Sequence, residues 1–242
     1  MGAPNTGGKH CNKVAEMNVG DYIKCYYSYH SQGAITSNKA GVLWGLGNET
    51  QPNLVEKPVT GEASTSSSKY FYFVKVDKGL LIADRVCQNS ISWDILNAGG
   101  VIQGKPYSFS TIADVVVEGL ASQENILGIL RSLGGGNSYA TTDGKSSPMD
   151  TSNGAWPVDN EWDTYIVRKD YGTGGRDDVW HWNNIATWCQ DTPLDGVRFS
   201  SGNNSRRTGR GFLSAANIEA DVSSKIAATW GFRPVFEYQE VA

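Results

Sequence analysis

Two apolar runs, Tyr70-Phe71-Tyr72-Phe73-Val74-Lys75-Val76 and Leu80-Leu81-Ile82-Ala83-Asp84-Arg85-Val86, flank Asp77-Lys78-Gly79. Glycine supplies the positive φ that a tight loop needs there, so the pattern predicts a β-hairpin. Asp21 to Tyr29 is β-prone and partly alternating, and Trp230-Gly231-Phe232-Arg233-Pro234-Val235-Phe236-Glu237-Tyr238 reads as one amphipathic strand that closes the fold. Ser90 to Gly100 predicts a short helix, capped by Ser90 or Ser92, with Trp93, Ile95 and Leu96 on its apolar face and Gly99-Gly100 as its stop. A second helix is predicted over Asn160 to Arg168, capped by Asp159 or Asn160, where Trp162, Tyr165 and Ile166 fall at i, i+3 and i+4.

Other stretches are less decided. Ile112 to Leu133 carries Val115-Val116-Val117 and later Ile126, Leu127, Ile129, Leu130 and Leu133, a period that suits strand or helix. Gly134 through Gly154 reads as a long Ser, Thr and Gly loop. Val179-Trp180-His181-Trp182 and Thr187-Trp188-Cys189 read as short strands around an Asn183-Asn184 turn, with two more at Arg198-Phe199 and Gly211-Phe212-Leu213. Arg176 to Lys225 is rich in Trp, Asn, Ser and Arg and poor in aliphatic residues, so it is expected to be a displayed surface rather than core.

The small, polar tract Gly61 to Ser68 sets an expected boundary: an N-terminal segment over 1–68, with a strand and a flexible, anchoring tract, and a domain over 69–242. With 28 Gly, 8 Trp, 11 Tyr and 19% charged residues in 242, the composition favours a turn-rich β or α+β protein. A net charge of -4 argues against a nucleic-acid partner. No apolar run approaches a membrane span, and the Met-Gly-Ala-Pro-Asn start lacks the features of a signal peptide, so neither membrane insertion nor signal-directed secretion is expected. The four Cys (Cys11, Cys25, Cys87, Cys189) show no CxxC spacing and are expected to be reduced and mostly buried; with His10, His30 and His181 they gather no zinc site.

Four motifs in order, Leu81-Ile82-Ala83-Asp84-Arg85, Ile91-Ser92-Trp93-Asp94, Asn160-Glu161-Trp162-Asp163-Thr164-Tyr165-Ile166 and Trp230-Gly231-Phe232-Arg233-Pro234-Val235, resemble proteins of bacterial phages and prophages. The terminal Gly-Phe-Arg-Pro is similar to the last strand of C-type lectin-like domains of the formylglycine-generating-enzyme type, which also carry the variable regions of diversity-generating retroelement proteins. The resemblance spans about residues 70 to 238. It implies an α+β, C-type lectin-like fold with short antiparallel sheets, two short helices and long loops, in which first and last strands pair while a loop region meets ligand. The implied function is a non-enzymatic virion protein, on a tail tip, fibre or capsid exterior, that binds a host receptor or glycan. It would form a homo-oligomer with other virion proteins as partners and need no cofactor. The rival is a structural virion subunit such as a capsid decoration or tail assembly protein.

The matching displayed positions are Trp180, Trp182, Asn183, Asn184, Trp188, Arg198, Ser200, Ser201, Asn203, Asn204, Arg206, Arg207 and Arg210. Residue chemistry selects the same set, since aromatic faces stack on sugars, amides donate and accept, and Arg forks grip carboxylates. Two readings stay open: Trp180 and Trp182 share a strand face that is either core or platform, and Asn203 to Arg207 is either ligand loop or solvated loop. Arg233 is expected to be structural, and calcium at Asp177 and Asp178 is a minor alternative. Catalysis is not expected, because no second Cys accompanies Cys189, a Cys189-His181 pair lacks a third member, and Glu161 with Asp163 is explained by a helix start.

Overall fold

The computed structural model describes residues 2–28, 30–31, 34–35, 39–50, 54–63, 69–112, 121–149, 153–168, 175–196 and 203–240. They build a mostly β architecture with a few short helices. An eight-stranded sheet runs in the order His10–Cys11, Tyr22–Ser28, Lys69–Asp77, Leu80–Ala83, Val235–Tyr238, Ile126–Arg131, Lys105–Phe109, with Val42–Trp44 also pairing with Tyr22–Ser28. The predicted hairpin is present, and Gly79 turns it at φ +68, where a Cβ would meet the Tyr238 carbonyl at 2.2 Å.

The alternation of Lys69–Asp77 divides the sheet's two faces. Phe71 and Phe73 point into a large core shared with Ile23, Cys25, Leu130 and Phe236, whereas Val74 and Val76 join Ile82 and Val235 on the opposite face. That second face is covered by the helical layer, through Trp162, Ile166, Val179 and Trp180. The strand Tyr22–Ser28 pairs with Lys69–Asp77 from Tyr22↔Val74 to Tyr27↔Lys69. A division between residues 68 and 69 therefore cuts through one sheet and one core, and the expected separate N-terminal segment is corrected accordingly.

The closing tract is not one strand. Trp230–Phe232 lies in a five-stranded sheet, ordered Ile218–Val222, Arg206–Gly211, Ala186–Trp188, Trp230–Phe232, Gln88–Asn89, while Val235–Tyr238 crosses into the eight-stranded sheet. The crossing falls at Arg233-Pro234, where proline brings no N–H to a ladder. Arg233, fully buried, fastens the crossing by donating to the Ala83 carbonyl (2.9 Å) and toward Thr187 Oγ1 (3.3 Å), which is the structural role expected of it. The last strand pairs with Leu80–Ala83 and Ile126–Arg131, not with His10–Cys11, Tyr22–Ser28 or Lys69–Asp77, so among the described residues the first-to-last pairing implied by the resemblance is not found.

The first helix forms over Trp93–Ala98 with the Ser92 hydroxyl accepting from Ile95 N–H, and the second continues from 161–162 into a π-helical Asp163–Arg168. Ile126–Arg131 resolves its ambiguous stretch as strand, and Val115-Val116-Val117 lies outside the described residues. The expected Gly134–Gly154 loop instead contributes Ser138–Ala140 and Ser146–Ser147 to a three-stranded ribbon with Ala155–Trp156. Tyr139 anchors the ribbon by donating to the Ile218 carbonyl at 3.0 Å. Among the described residues no helix is long and apolar enough to cross a membrane.

Candidate functional site

The stretch expected to be surface sends three of its expected contact residues into the core. Trp180 is 1% exposed and packs with Trp162 and Val179 beneath the sheet; it sits in a helical turn, Asp177–Trp180, rather than the strand predicted there. Asp177 and Asp178 favour that turn's N-terminus, and His181 ends it in the left-handed region. Trp188 is fully buried, its ring 4.1 Å from that of Trp230 and its Nε1 donating to the Ile91 carbonyl (3.0 Å). Arg210, also fully buried, donates to Asp163 Oδ1 (2.5 Å), the Gly135 carbonyl (2.7 Å) and the Asn217 carbonyl (3.0 Å). None of these three can touch a ligand, which corrects their assignment as displayed residues. A scarcity of aliphatics did not mean a scarcity of core, because Trp rings and a fully bonded Arg fill the space.

The remaining positions split into two groups at opposite ends of the strand Arg206–Gly211. At one end Asn204 is exposed in the turn Asn203–Ser205, and the half-buried Arg206 donates to the Ala220 carbonyl (3.2 Å). Arg207 lays its guanidinium 4.3 Å from the Trp93 ring and donates to the Arg206 carbonyl (2.6 Å). The reading of Asn203 to Arg207 as loop gives way to a turn followed by strand. Arg198, Ser200, Ser201 and the side chain of Asn203 lie outside the described residues, as does the strand expected at Arg198-Phe199.

At the other end, about 17 Å away for five residues of strand, Trp182, Asn183 and Asn184 face Phe212 and Leu213. Among the described residues four non-glycines have positive φ, and three of them meet here: His181 (42°), Asn184 (62°) and Phe212 (78°). Reciprocal bonds hold them, Phe212 N–H to the Trp182 carbonyl and Asn184 N–H to the Phe212 carbonyl, both 2.9 Å. Trp182 is half-buried, tethered through Nε1 to the Gly175 carbonyl (2.8 Å), while Asn183, Asn184, Leu213 and Ser214 are exposed. A left-handed phenylalanine costs energy that its neighbours must supply, and such strain concentrates at functional sites.

Beneath this turn lies a charged cluster. Arg85 grips Asp84 through Nε and Nη2 and reaches Glu56 at 2.6 Å. His181 Nε2 lies 3.9 Å from Asp84 Oδ2 and has no hydrogen-bond partner; burial lowers its pKa, with Asp84 opposing. Burial also pulls the Arg233 guanidinium down to about 10 and pushes the fully buried Cys189 thiol up, which suppresses the thiolate a nucleophile needs. All four cysteines are free and buried, as the sequence predicted. The minor calcium option meets carboxylates already engaged: Arg176 Nε donates to Asp178 Oδ1 (2.6 Å), and Asn183 N–H donates to Asp177 Oδ1 (2.8 Å).

One surface escaped the sequence reading. On the face opposite Phe71 and Phe73, the outward row of the first strands carries Tyr22, Lys24 and Tyr26 beside Tyr72 and Tyr70. The signal was the two-residue period itself: Tyr and Phe alternate in Lys69–Asp77 so that every Phe goes in and every Tyr goes out. No protein-family model, no curated protein and no solved structure matches the chain.

Proposed function

We propose that this chain is a non-enzymatic binding protein that attaches to a host receptor or glycan through the strained turn Trp182-Asn183-Asn184 and the adjoining Leu213-Ser214. The observation that carries the reading is the convergence of three left-handed non-glycine residues on one exposed corner that presents two amides and an indole edge. Buried Cys189, with its thiol pushed up, supports binding over oxidase or hydrolase chemistry. The four phage-like motifs support a place in a phage or prophage virion, on a tail or capsid exterior, and a C-type lectin-like ancestry for the α+β fold.

A structural virion subunit is the second reading. It draws on Leu127 and Ile129, 78% and 37% exposed on one face of the same strand, which a neighbouring subunit would cover. A cryo-electron microscopy reconstruction of the native particle separates the two. The turn at 182–184 facing solvent at a distal tip or capsid exterior is the expected result; the same turn buried between subunits would leave only the structural reading.

A further inference from the structure

We propose that the tyrosine face of the first strands is a second binding site, one that takes a neutral saccharide, with a pyranose ring packed against the Tyr22–Tyr72 cluster and its hydroxyls meeting Glu49 and Lys24. Tyr22 and Tyr72 meet edge to face at 5.4 Å, Tyr70 and Tyr72 at 5.8 Å, and His10 stacks on Tyr22 at 5.3 Å. Tyr22, Tyr70 and Tyr72 are half-buried, and Lys24 Nζ lies over the Tyr70 ring at 4.8 Å. A sugar ring offers C–H groups to such faces and hydroxyls to the polar groups around them.

The tyrosine hydroxyls differ in their partners, and the buried Tyr238 hydroxyl, away from this face, has none among the described residues. Buried Tyr27 donates to Gln88 Oε1 (2.7 Å), Tyr107 to the Leu43 carbonyl (2.5 Å) and Tyr26 to the Asn48 carbonyl (2.9 Å). The hydroxyls of Tyr22, Tyr70 and Tyr72 take no partner among the described residues. In the same cluster Trp44, 6% exposed and stacked on Tyr26 at 4.6 Å, keeps an Nε1 donor with no acceptor. The three free hydroxyls are what this face offers a polar ligand.

Charge selects the ligand class. Lys24 and Glu49 pair with each other, and His10 Nε2 lies 3.2 Å from Glu49 Oε1. Around the tyrosines stand two cations, Lys24 and Arg85, against three carboxylates, Glu49, Glu56 and Asp84, which leaves one net negative charge with His10 neutral. Sialylated or phosphorylated ligands are repelled, whereas a carboxylate and an ammonium side by side suit vicinal hydroxyls as acceptor and donor. Size points the same way. The Cα grid from His10 across to Tyr72 and from Tyr22 along to Tyr26 measures about 10 by 13 Å, far short of the roughly 800 Å² per partner of a protein interface. On its far side the helical layer already covers Val74 and Ile82.

This site goes beyond the attachment reading and does not rest on it. The 242-residue chain is applied to a printed array of neutral oligosaccharides, with sialylated and phosphorylated ones as a counter-set, and a bound neutral member is then titrated calorimetrically. Wild type is expected to bind neutral members only, Tyr72→Ala to bind at least tenfold more weakly, and Met149→Ala, at an exposed position outside both proposed sites, to bind unchanged. Tyr72→Phe, which keeps the ring and removes the hydroxyl, should fall between. If Tyr72→Ala fails to fold, Glu49→Gln at the exposed rim takes its place with the same expected loss. Absence of any neutral ligand, binding confined to anionic members, or affinity indifferent to Tyr72 and Glu49 would overturn the proposal. Sugar binding lost in Trp182→Ala but kept in Tyr72→Ala would also overturn it and move the sugar to the strained turn.

Discussion

Replacing Arg210 by Met tests whether the late region is core or surface. The guanidinium is fully buried and joins four separate parts of the chain: Gly135, Asn160 with Asp163, Ala216 with Asn217, and its own strand. Its departure would leave Asp163, also fully buried, with bonds from Ala155 N–H (2.6 Å) and Asn160 Nδ2 (2.8 Å) but without its buried cation. Breaking one side of a buried pair costs about 3–5 kcal/mol. For a chain of this size each kcal/mol moves Tm by about 2–4 °C, so Arg210→Met should melt roughly 6–20 °C lower by scanning calorimetry. Asp163→Asn should be costly as well, and the double variant should cost less than the sum by about 0.5–3 kcal/mol because one interaction is counted twice. A melting temperature within about 2 °C of wild type, together with loss of attachment, would refute the burial argument and return Arg210 to the ligand surface.

Gly209→Ala should destabilise by about 1–3 kcal/mol through overpacking, since its Cβ would stand 2.2 Å from Trp230 Cζ3; unchanged denaturant unfolding would contradict the packing of that strand on Trp230. Burial lowers the His181 pKa from 6.5, so below pH 6.5 the unfolded chain takes its proton before the folded one. Its contribution to stability is therefore complete above 6.5 and falls as the pH drops, and urea titrations across pH 5 to 7 should show a smaller acid loss in His181→Asn, a residue that tolerates left-handed backbone. Equal slopes in the two proteins would rule that out. Burial pushes all four thiols up, led by desolvation in each, so iodoacetamide should label none of them in the folded protein and all of them after denaturation. Rapid native labelling of Cys189 would instead reopen thiol chemistry.

Local order was legible in the sequence wherever neighbours along the chain decide it. The paired strands of the Lys69–Ala83 hairpin, the glycine that turns it and the Ser92 cap each depend on a few consecutive residues, and each is found as the pattern predicts. Burial in the late region was not legible, because whether a Trp or an Arg is inside depends on partners supplied from afar. The Arg210 bonds to Gly135 and Asp163 span 75 and 47 residues, and Trp188 finds its acceptor 97 residues away at Ile91. Tertiary structure alone also decided that the closing tract breaks at Arg233-Pro234 and serves two sheets, since an amphipathic run fixes a strand's faces but not the ladder it joins. The candidate sites divide in the same way. Exposure of Trp182 and Asn183 required the left-handed turn to be seen, whereas the tyrosine face was written in a two-residue period and needed only the second strand, Tyr22–Ser28, to be placed beside it.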